Sequence, residues 1–132
     1  MKRTQTGVTL MELLIVVAII AVLVAIAIPV YTAQMHKARV AADWANVRAY
    51  YAQIQADYMV TLEKNPAVKV LDETSTDPSD FPDTQTITFL DGSEVKLQAG
   101  YYVVHFTKDK GYSIAYECLT SGHTECNRNF GE

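Results

Sequence analysis

One long apolar run occupies most of the N-terminal quarter of the chain. Residues 6–31 read T-G-V-T-L-M-E-L-L-I-V-V-A-I-I-A-V-L-V-A-I-A-I-P-V-Y. Every residue from Leu13 to Ile28 is apolar, and the next formal charge is that of Lys37. The stretch from Leu13 to Gln34 would form about 33 Å of helix, enough to cross the hydrocarbon core of a bilayer. The sequence therefore predicts a membrane-spanning helix.

Two basic residues, Lys2 and Arg3, precede this run, as in the general pattern of a secretory signal. An ordinary signal peptide would be cut after Ala27, because Ala25-Ile26-Ala27 fits the small-residue rule for cleavage. Against this interpretation, Pro29 would follow one residue after the first mature residue, and the helical pattern continues across the site. An uncleaved membrane anchor is a further alternative.

The same residues closely resemble the class III signal sequence of type IV pilins and of the pseudopilins of type II secretion systems. The matching features are Gly7 at the cleavage site, Thr9-Leu10 after it, Glu12 as the fifth mature residue, the apolar run and Pro29. The resemblance covers about the first quarter of the chain. It implies a precursor that is exported, processed and built into a filament.

For the individual residues, the resemblance implies a leader of residues 1–7 and a cleavage site between Gly7 and Val8. A prepilin peptidase would cut there, and the new amino group of Val8 would be N-methylated. Residues 8–35 would form the hydrophobic helix for membrane storage and polymerisation, and residues 36–132 the globular pilin domain.

Glu12 is predicted to be an assembly residue. A carboxylate at membrane depth is unfavourable by roughly 2.5–3.5 kcal/mol on insertion scales, and the 24 residues that follow Glu12 contain no formal cation. Cleavage after Gly7 would create one at the amine of Val8. At about 4 Å and an effective dielectric constant near 20, the Val8 amine of a neighbouring subunit would attract Glu12 by on the order of 4 kcal/mol before desolvation.

Small residues in the apolar run add a packing argument. Ala18, Ala21 and Ala25 are three and four residues apart, so they share one helix face. Such a face lets helices approach closely where lipid provides no hydrophobic driving force. Pro29 removes a backbone donor and is expected to kink or loosen the helix near residues 25–29. These four residues are assigned to assembly.

Residues 36–64 are predicted to form an amphipathic helix with two apolar faces. Ala45 and Ala49 are expected to contact neighbouring subunits, while bulkier residues opposite them pack on a sheet. Charged residues occupy the two flanks, with Lys37 and Arg48 on one and Arg39, Asp43 and Asp57 on the other. We call the two faces the large-residue stripe (Val40, Trp44, Val47, Tyr51, Ile54, Tyr58, Leu62) and the alanine face (Ala38, Ala42, Ala45, Ala49, Ala52, Ala56).

The rest of the chain is predicted to be a loop followed by a sheet. Asn65-Pro66 ends the helix, and residues 65–85 form an acidic loop that matches no defined calcium-binding spacing. Residues 86–119 contain two hairpin signals, one around Asp91-Gly92-Ser93 and one around residues 108–111. Together they predict a four-stranded antiparallel meander on the large-residue stripe. The expected class is α+β.

The two cysteines, Cys118 and Cys126, are expected to form a disulfide that closes a loop over residues 118–126, because the domain is exported and the pair is closely spaced. Many pilins likewise carry a C-terminal disulfide loop. Zinc ligation by these cysteines with His105 and His123 lacks the standard spacing, so no metal site and no cofactor are predicted. The chain contains no nucleophile elbow, phosphate loop or metalloprotease signature, and an enzyme is not expected.

The charge balance excludes generic binding to nucleic acid. The formal charge is −4, and removal of Lys2 and Arg3 with the leader leaves 9 basic residues against 15 acidic ones, or −6. We therefore expect a pilin, stored in the cytoplasmic membrane and assembled with itself or other pilins by a platform and an ATPase into an extracellular filament. A pseudopilin of a secretion or competence system and a non-polymerising membrane-anchored binding module are the alternatives. The sequence leaves open adhesion, twitching motility, secretion or DNA uptake.

Overall fold

One long helix and two small antiparallel sheets form the described part of the chain, which in a computed structural model comprises residues 7–71, 85–120 and 123–131. Helix α1 runs from Leu10 to Thr61. The chain divides into two units, Met1–His36 and Lys37–Glu132, and both sheets belong to the second unit. The predicted α+β class is confirmed.

The N-terminal unit consists of the apolar part of α1. Its most apolar window has a mean hydropathy of 3.4, and none of that window is buried within the chain. The helix is therefore long and apolar enough to cross a membrane. It continues through Pro29, whose carbonyl accepts a hydrogen bond from the Thr32 hydroxyl at 3.0 Å. Since proline has no N–H, the bond that would normally reach back to the carbonyl of Ala25 is missing.

The C-terminus of α1 lies earlier than predicted. The helix ends at Thr61 rather than at residue 64, because Leu62 adopts the left-handed conformation with φ 55°. The N–H of Leu62 still donates to the carbonyl of Tyr58 at 2.7 Å, which satisfies one of the last free carbonyls of the helix. Leu62 is 70% exposed. Its assignment to the large-residue stripe was therefore wrong.

The buried face of α1 is also rotated relative to the large-residue stripe. Tyr50, which was not assigned to the stripe, is buried, whereas Trp44 and Tyr51 are only half-buried. Asp43 was predicted on a charged flank and is in fact among the most buried side chains of the domain. The prediction is confirmed for Val40, Val47, Ile54 and Tyr58, but it omitted Tyr50 and placed Asp43 in solvent because a charged side chain is rarely buried. The buried positions are Val40, Asp43, Val47, Tyr50, Ile54 and Tyr58.

The strands form two separate sheets. Strands β1 and β2 make an antiparallel hairpin, and β3, β4 and β5 make a three-stranded antiparallel sheet in that order. The bounds are Thr86–Thr88 for β1, Glu94–Lys96 for β2, Gly100–Thr107 for β3, Gly111–Cys118 for β4 and Arg128–Phe130 for β5.

Two features of this arrangement differ from the predicted four-stranded meander. Strand β2 does not pair with β3, and the amides of residues 98–100, at the end of the connection and the start of β3, donate to the Asp43 carboxylate of α1. The third strand of the larger sheet is instead β5, which was not predicted. Its three residues are too few to show a strand pattern. Of the predicted acidic loop, residues 72–84 lie outside the described part of the chain.

The turn between β3 and β4 is fixed to α1 by side chains of the helix. Gln55 accepts the N–H of Tyr112 at 2.9 Å and donates to the carbonyl of Lys110 at 3.2 Å. Gly111 has φ +86°, and a Cβ there would lie 2.6 Å from the Gln55 side-chain oxygen. Only glycine fits this position, because both its backbone conformation and its space exclude a side chain. The hairpin is therefore held in one register on the helix.

The core of the second unit lies between α1 and the two sheets. Ile54 and Val47 of the helix are completely buried, as are Ile87 of β1 and Tyr116 of β4. Tyr58, Phe106 and Tyr112 form an aromatic cluster in which the ring centres of Phe106 and Tyr112 are 5.0 Å apart.

Candidate functional site

The start of α1 is a reciprocal hydrogen-bond arrangement between Thr9 and Glu12. The Glu12 carboxylate accepts the backbone N–H of Thr9 at 2.8 Å and its hydroxyl at 3.0 Å. The Thr9 hydroxyl oxygen accepts the N–H of Glu12 at 3.3 Å, and the Thr9 carbonyl accepts the N–H of Leu13 at 3.1 Å. Thr9 is therefore the N-cap and Glu12 the third helical residue of a capping box.

The bond predicted to be cleaved lies just outside this cap. Gly7 and Val8 are both exposed and precede the first helical residue, so no helical hydrogen bond protects the peptide bond between them. Gly7 has open space around its Cα, since an added Cβ would meet no atom within 4 Å. A protease can therefore approach this bond without unfolding the helix. The Glu12 carboxylate stays close in sequence to the amine that cleavage would create.

The small residues assigned to assembly are all exposed in the single chain. Ala18, Ala21 and Ala25 are uncovered within the N-terminal unit, and Ala45 and Ala49 within the second. The other four members of the alanine face are exposed as well. No sheet residue covers this side of the described helix, because the buried face of α1 is the opposite one. Their role in assembly stays a prediction.

Asp43 joins α1 to the start of β3. Its carboxylate is 1% exposed and accepts backbone N–H groups of Gln98 at 2.9 Å, Ala99 at 2.7 Å and Gly100 at 3.2 Å. It also accepts the hydroxyl of Tyr116 at 2.9 Å. Four donors thus satisfy a buried charge, two from the connection between β2 and β3 and one each from β3 and β4.

Tyr116 is held in its protonated form at this site. Burial raises the pKa of its hydroxyl, and the hydrogen bond and negative charge of Asp43 raise that pKa further. A protonated phenol is needed here, because a phenolate would face a carboxylate without a proton between them. The Tyr116 ring also passes under Gly100, where a Cβ would lie 2.4 Å from the ring. Asp43 and Tyr116 therefore connect α1 to the larger sheet.

The predicted disulfide between Cys118 and Cys126 is present. It lies just beyond the three paired positions of β4 and β5 and closes the connection between these strands. The carbonyl of Cys126 accepts the indole N–H of Trp44 at 3.0 Å, so the bridge also fixes β5 against α1. Because the two sulfurs are bonded to each other, neither is a free thiolate that could bind a metal ion.

A family model covers the capped N-terminal segment. Residues 2–28 match the prokaryotic N-terminal methylation motif. This methylation motif is the class III signal of type IV pilins and pseudopilins, so the resemblance seen in the sequence is confirmed. No curated protein and no solved structure matches the chain.

The methylation motif gives the N-terminal residues a chemical context. It implies that a prepilin peptidase processes the precursor and that pilin assembly machinery in general handles the product. Together with a helix long and apolar enough to cross a bilayer, the methylation motif fits membrane anchoring before assembly. The methylation motif therefore supports a precursor of the pilin or pseudopilin type in general.

Two residues with clear structural roles were missed by the sequence analysis. Thr9 caps the helix, and its signal was available, because Thr-x-x-Glu at residues 9–12 is the capping-box pattern. Asp43 had no comparable signal, since its partners are 55 to 73 residues away in sequence.

Proposed function

We propose that the chain is a structural subunit of a type IV pilus or related filament, and not an enzyme. Cleavage between Gly7 and Val8 and N-methylation of Val8 would produce the mature subunit. The observation that carries this proposal is the methylation motif at the start of a helix whose most apolar window is not buried by any described residue of the chain. Such a helix needs lipid before assembly and other helices after it.

The two faces of α1 support the proposal. In the second unit, one face is buried by the sheets, and the opposite alanine face is exposed along its whole length. A globular domain needs only the first of these faces. The second presents short side chains that allow another helix to approach closely. A neighbouring subunit in a filament is the occupant that fits it, and assembly would be extracellular, driven from the cytoplasmic membrane by an ATPase.

Glu12 has a place in this assembly. Among the described residues of the single chain, its hydrogen-bond partner is Thr9, directly before the helix. The methylated amine of a neighbouring Val8 would add the cation that the described apolar run lacks. The Glu12 carboxylate has a second oxygen, which accepts none of the Thr9 hydrogen bonds. The cap and the contact between subunits are therefore compatible.

A paired substitution tests the filament function. Ala49→Leu should leave the melting temperature of the isolated 37–132 domain almost unchanged, because residue 49 is exposed and leucine favours helix. The same change should strongly reduce filament yield from cells, since close-packed interfaces tolerate added volume poorly. Ile54→Ala, in contrast, should destabilise the isolated domain by about 2–5 kcal/mol, because it removes a large buried side chain.

The control is Ala49→Ser, which keeps the side chain small and should assemble like the unmodified chain. Full filament yield from Ala49→Leu would show that the alanine face is not an assembly surface. A domain destabilised by Ala49→Leu as much as by Ile54→Ala would show that the two faces have been misassigned.

A further inference from the structure

Two arginines lie over aromatic rings where β5 packs against α1. The guanidinium carbon of Arg128 is 4.0 Å from the centre of the Trp44 ring, and that of Arg48 is 5.9 Å from the centre of the Phe130 ring. Helix α1 and strand β5 thus each provide one aromatic ring and one arginine to this contact. The two helix residues are one turn apart, and the two strand residues point to the same side of the sheet. Both cations therefore lie in the region where β5 packs against α1.

Neither arginine is neutralised by an acidic side chain. Within residues 7–71, 85–120 and 123–131, the interactions of Arg48 and Arg128 are those with the rings, and no carboxylate forms an ion pair with either. Asp43 is near in sequence to Arg48 but is buried, and it uses its carboxylate on backbone amides and Tyr116. Among the described residues, each of these two cations therefore contacts an aromatic ring and no carboxylate.

Stacking leaves the hydrogen-bonding edge of a guanidinium free. The N–H donors of arginine lie in the plane of the group, so a ring below that plane does not occupy them. Arg48 and Arg128 are both exposed. Each guanidinium therefore has N–H donors accessible to solvent, and such donors bind carboxylate or phosphate oxygens.

The arginine pair borders the alanine face. Ala45 precedes Arg48 by three residues and Ala52 follows it by four, so both alanines are its neighbours on the helix surface. Both are exposed. A helix seated on the alanine face would therefore come within reach of the long arginine side chains.

We propose that Arg48 and Arg128 bind carboxylates of a second copy of this chain that packs on the alanine face. This inference rests on the proposed filament function. It adds a charged contact between subunits beside the apolar contact at the alanine face. A second copy fits better than a nucleic acid, because the net negative charge of the chain repels a polyphosphate. The same chain supplies suitable exposed carboxylates, among them Glu63, Glu94 and Asp109.

Carbodiimide cross-linking of filaments tests the contact directly, because the reagent joins amines to carboxylates in contact and does not react with arginine. Filaments of the full chain would be prepared with Arg48→Lys or Arg128→Lys, which keep the charge and add a reactive amine. We expect a covalent dimer in which the new lysine is linked to a carboxylate of another copy. Arg39→Lys, on the opposite flank of α1, is the matched control and should give no additional dimer.

Charge reversal provides the functional readout. Filaments of the Arg48→Glu, Arg128→Glu double variant should fall in yield by about tenfold, whereas Arg39→Glu should leave yield unchanged. The inference would be overturned if the unmodified chain forms filaments but the lysines of the two variants link only within their own copy or not at all. The filament function would then still stand. Absence of filaments from the unmodified chain would overturn both.

A single-stranded oligonucleotide is the probe for the other anionic partner. If unmodified filaments retain it and the double variant assembles normally but does not, the arginines serve a polyphosphate and the proposed contact is wrong. If the double variant retains as much oligonucleotide as the unmodified chain and its assembly is reduced, the proposed contact between copies is supported.

Discussion

Replacing Asp43 by asparagine is expected to lower the free energy of unfolding of the 37–132 domain by about 2–4 kcal/mol. The substitution preserves the size of the side chain and creates no cavity. It replaces one acceptor oxygen by an NH₂ group, which in the better of its two orientations faces the backbone N–H of Gln98. It also removes the charge that makes the remaining hydrogen bonds strong. Buried donors that lose their acceptor carry their full desolvation cost.

Chemical denaturation of the isolated domain measures this effect. Tyr116→Phe is the first control and should cost only about 1 kcal/mol, because it removes one of the four donors and leaves the backbone amides bound. Asp109→Asn, at an exposed turn position, should change stability by less than about 0.5 kcal/mol. A loss below about 1 kcal/mol for Asp43→Asn would mean that the carboxylate does not hold the sheet to the helix.

Replacing Glu12 by glutamine is expected to reduce filament incorporation about tenfold or more while the precursor is still cleaved. Glutamine can serve at the third position of a capping box, so the helix start is preserved and only the charge is lost. The attraction to a neighbouring amine is on the order of 4 kcal/mol before desolvation, and a third of that corresponds to a tenfold change in association.

Thr9→Val is the complementary variant. It keeps the carboxylate of Glu12 and removes the hydroxyl that caps the helix, at a cost of about 1 kcal/mol. We expect filament yield to fall much less than in Glu12→Gln. The readouts are filament yield and the fraction of cleaved precursor. Normal filaments from Glu12→Gln would show that the carboxylate is not an assembly contact.

Local patterns in the sequence predicted the helix and the hairpins, because these depend on neighbouring residues. The repeat of apolar residues every three or four positions continues through the amphipathic part of α1, and the glycine at 111 fixes the β3–β4 turn. The disulfide followed from export and close spacing. The methylation motif, likewise, is a contiguous segment whose residues can be recognised one by one.

Features that depend on distant partners could not be predicted in this way. A charged residue is rarely buried unless it is paired, so Asp43 was assigned to solvent. Its partners are backbone amides, which have no signature in the sequence. The rotation of the buried face from Tyr51 toward Tyr50 has the same origin, because the sheets that determine it lie far along the chain. Strand β5 is defined by the disulfide and by contacts with Trp44.

The N-terminus of the exported protein tests the filament account most directly. Mass spectrometry of the intact chain recovered from the cell surface identifies both the first residue and any modification of its amine. The account predicts a chain that begins at Val8 and carries a methyl group on its amino nitrogen. A chain that begins only at Ile28 would show an ordinary signal peptide, and one that retains Met1 would show an uncleaved anchor; either result would contradict the account.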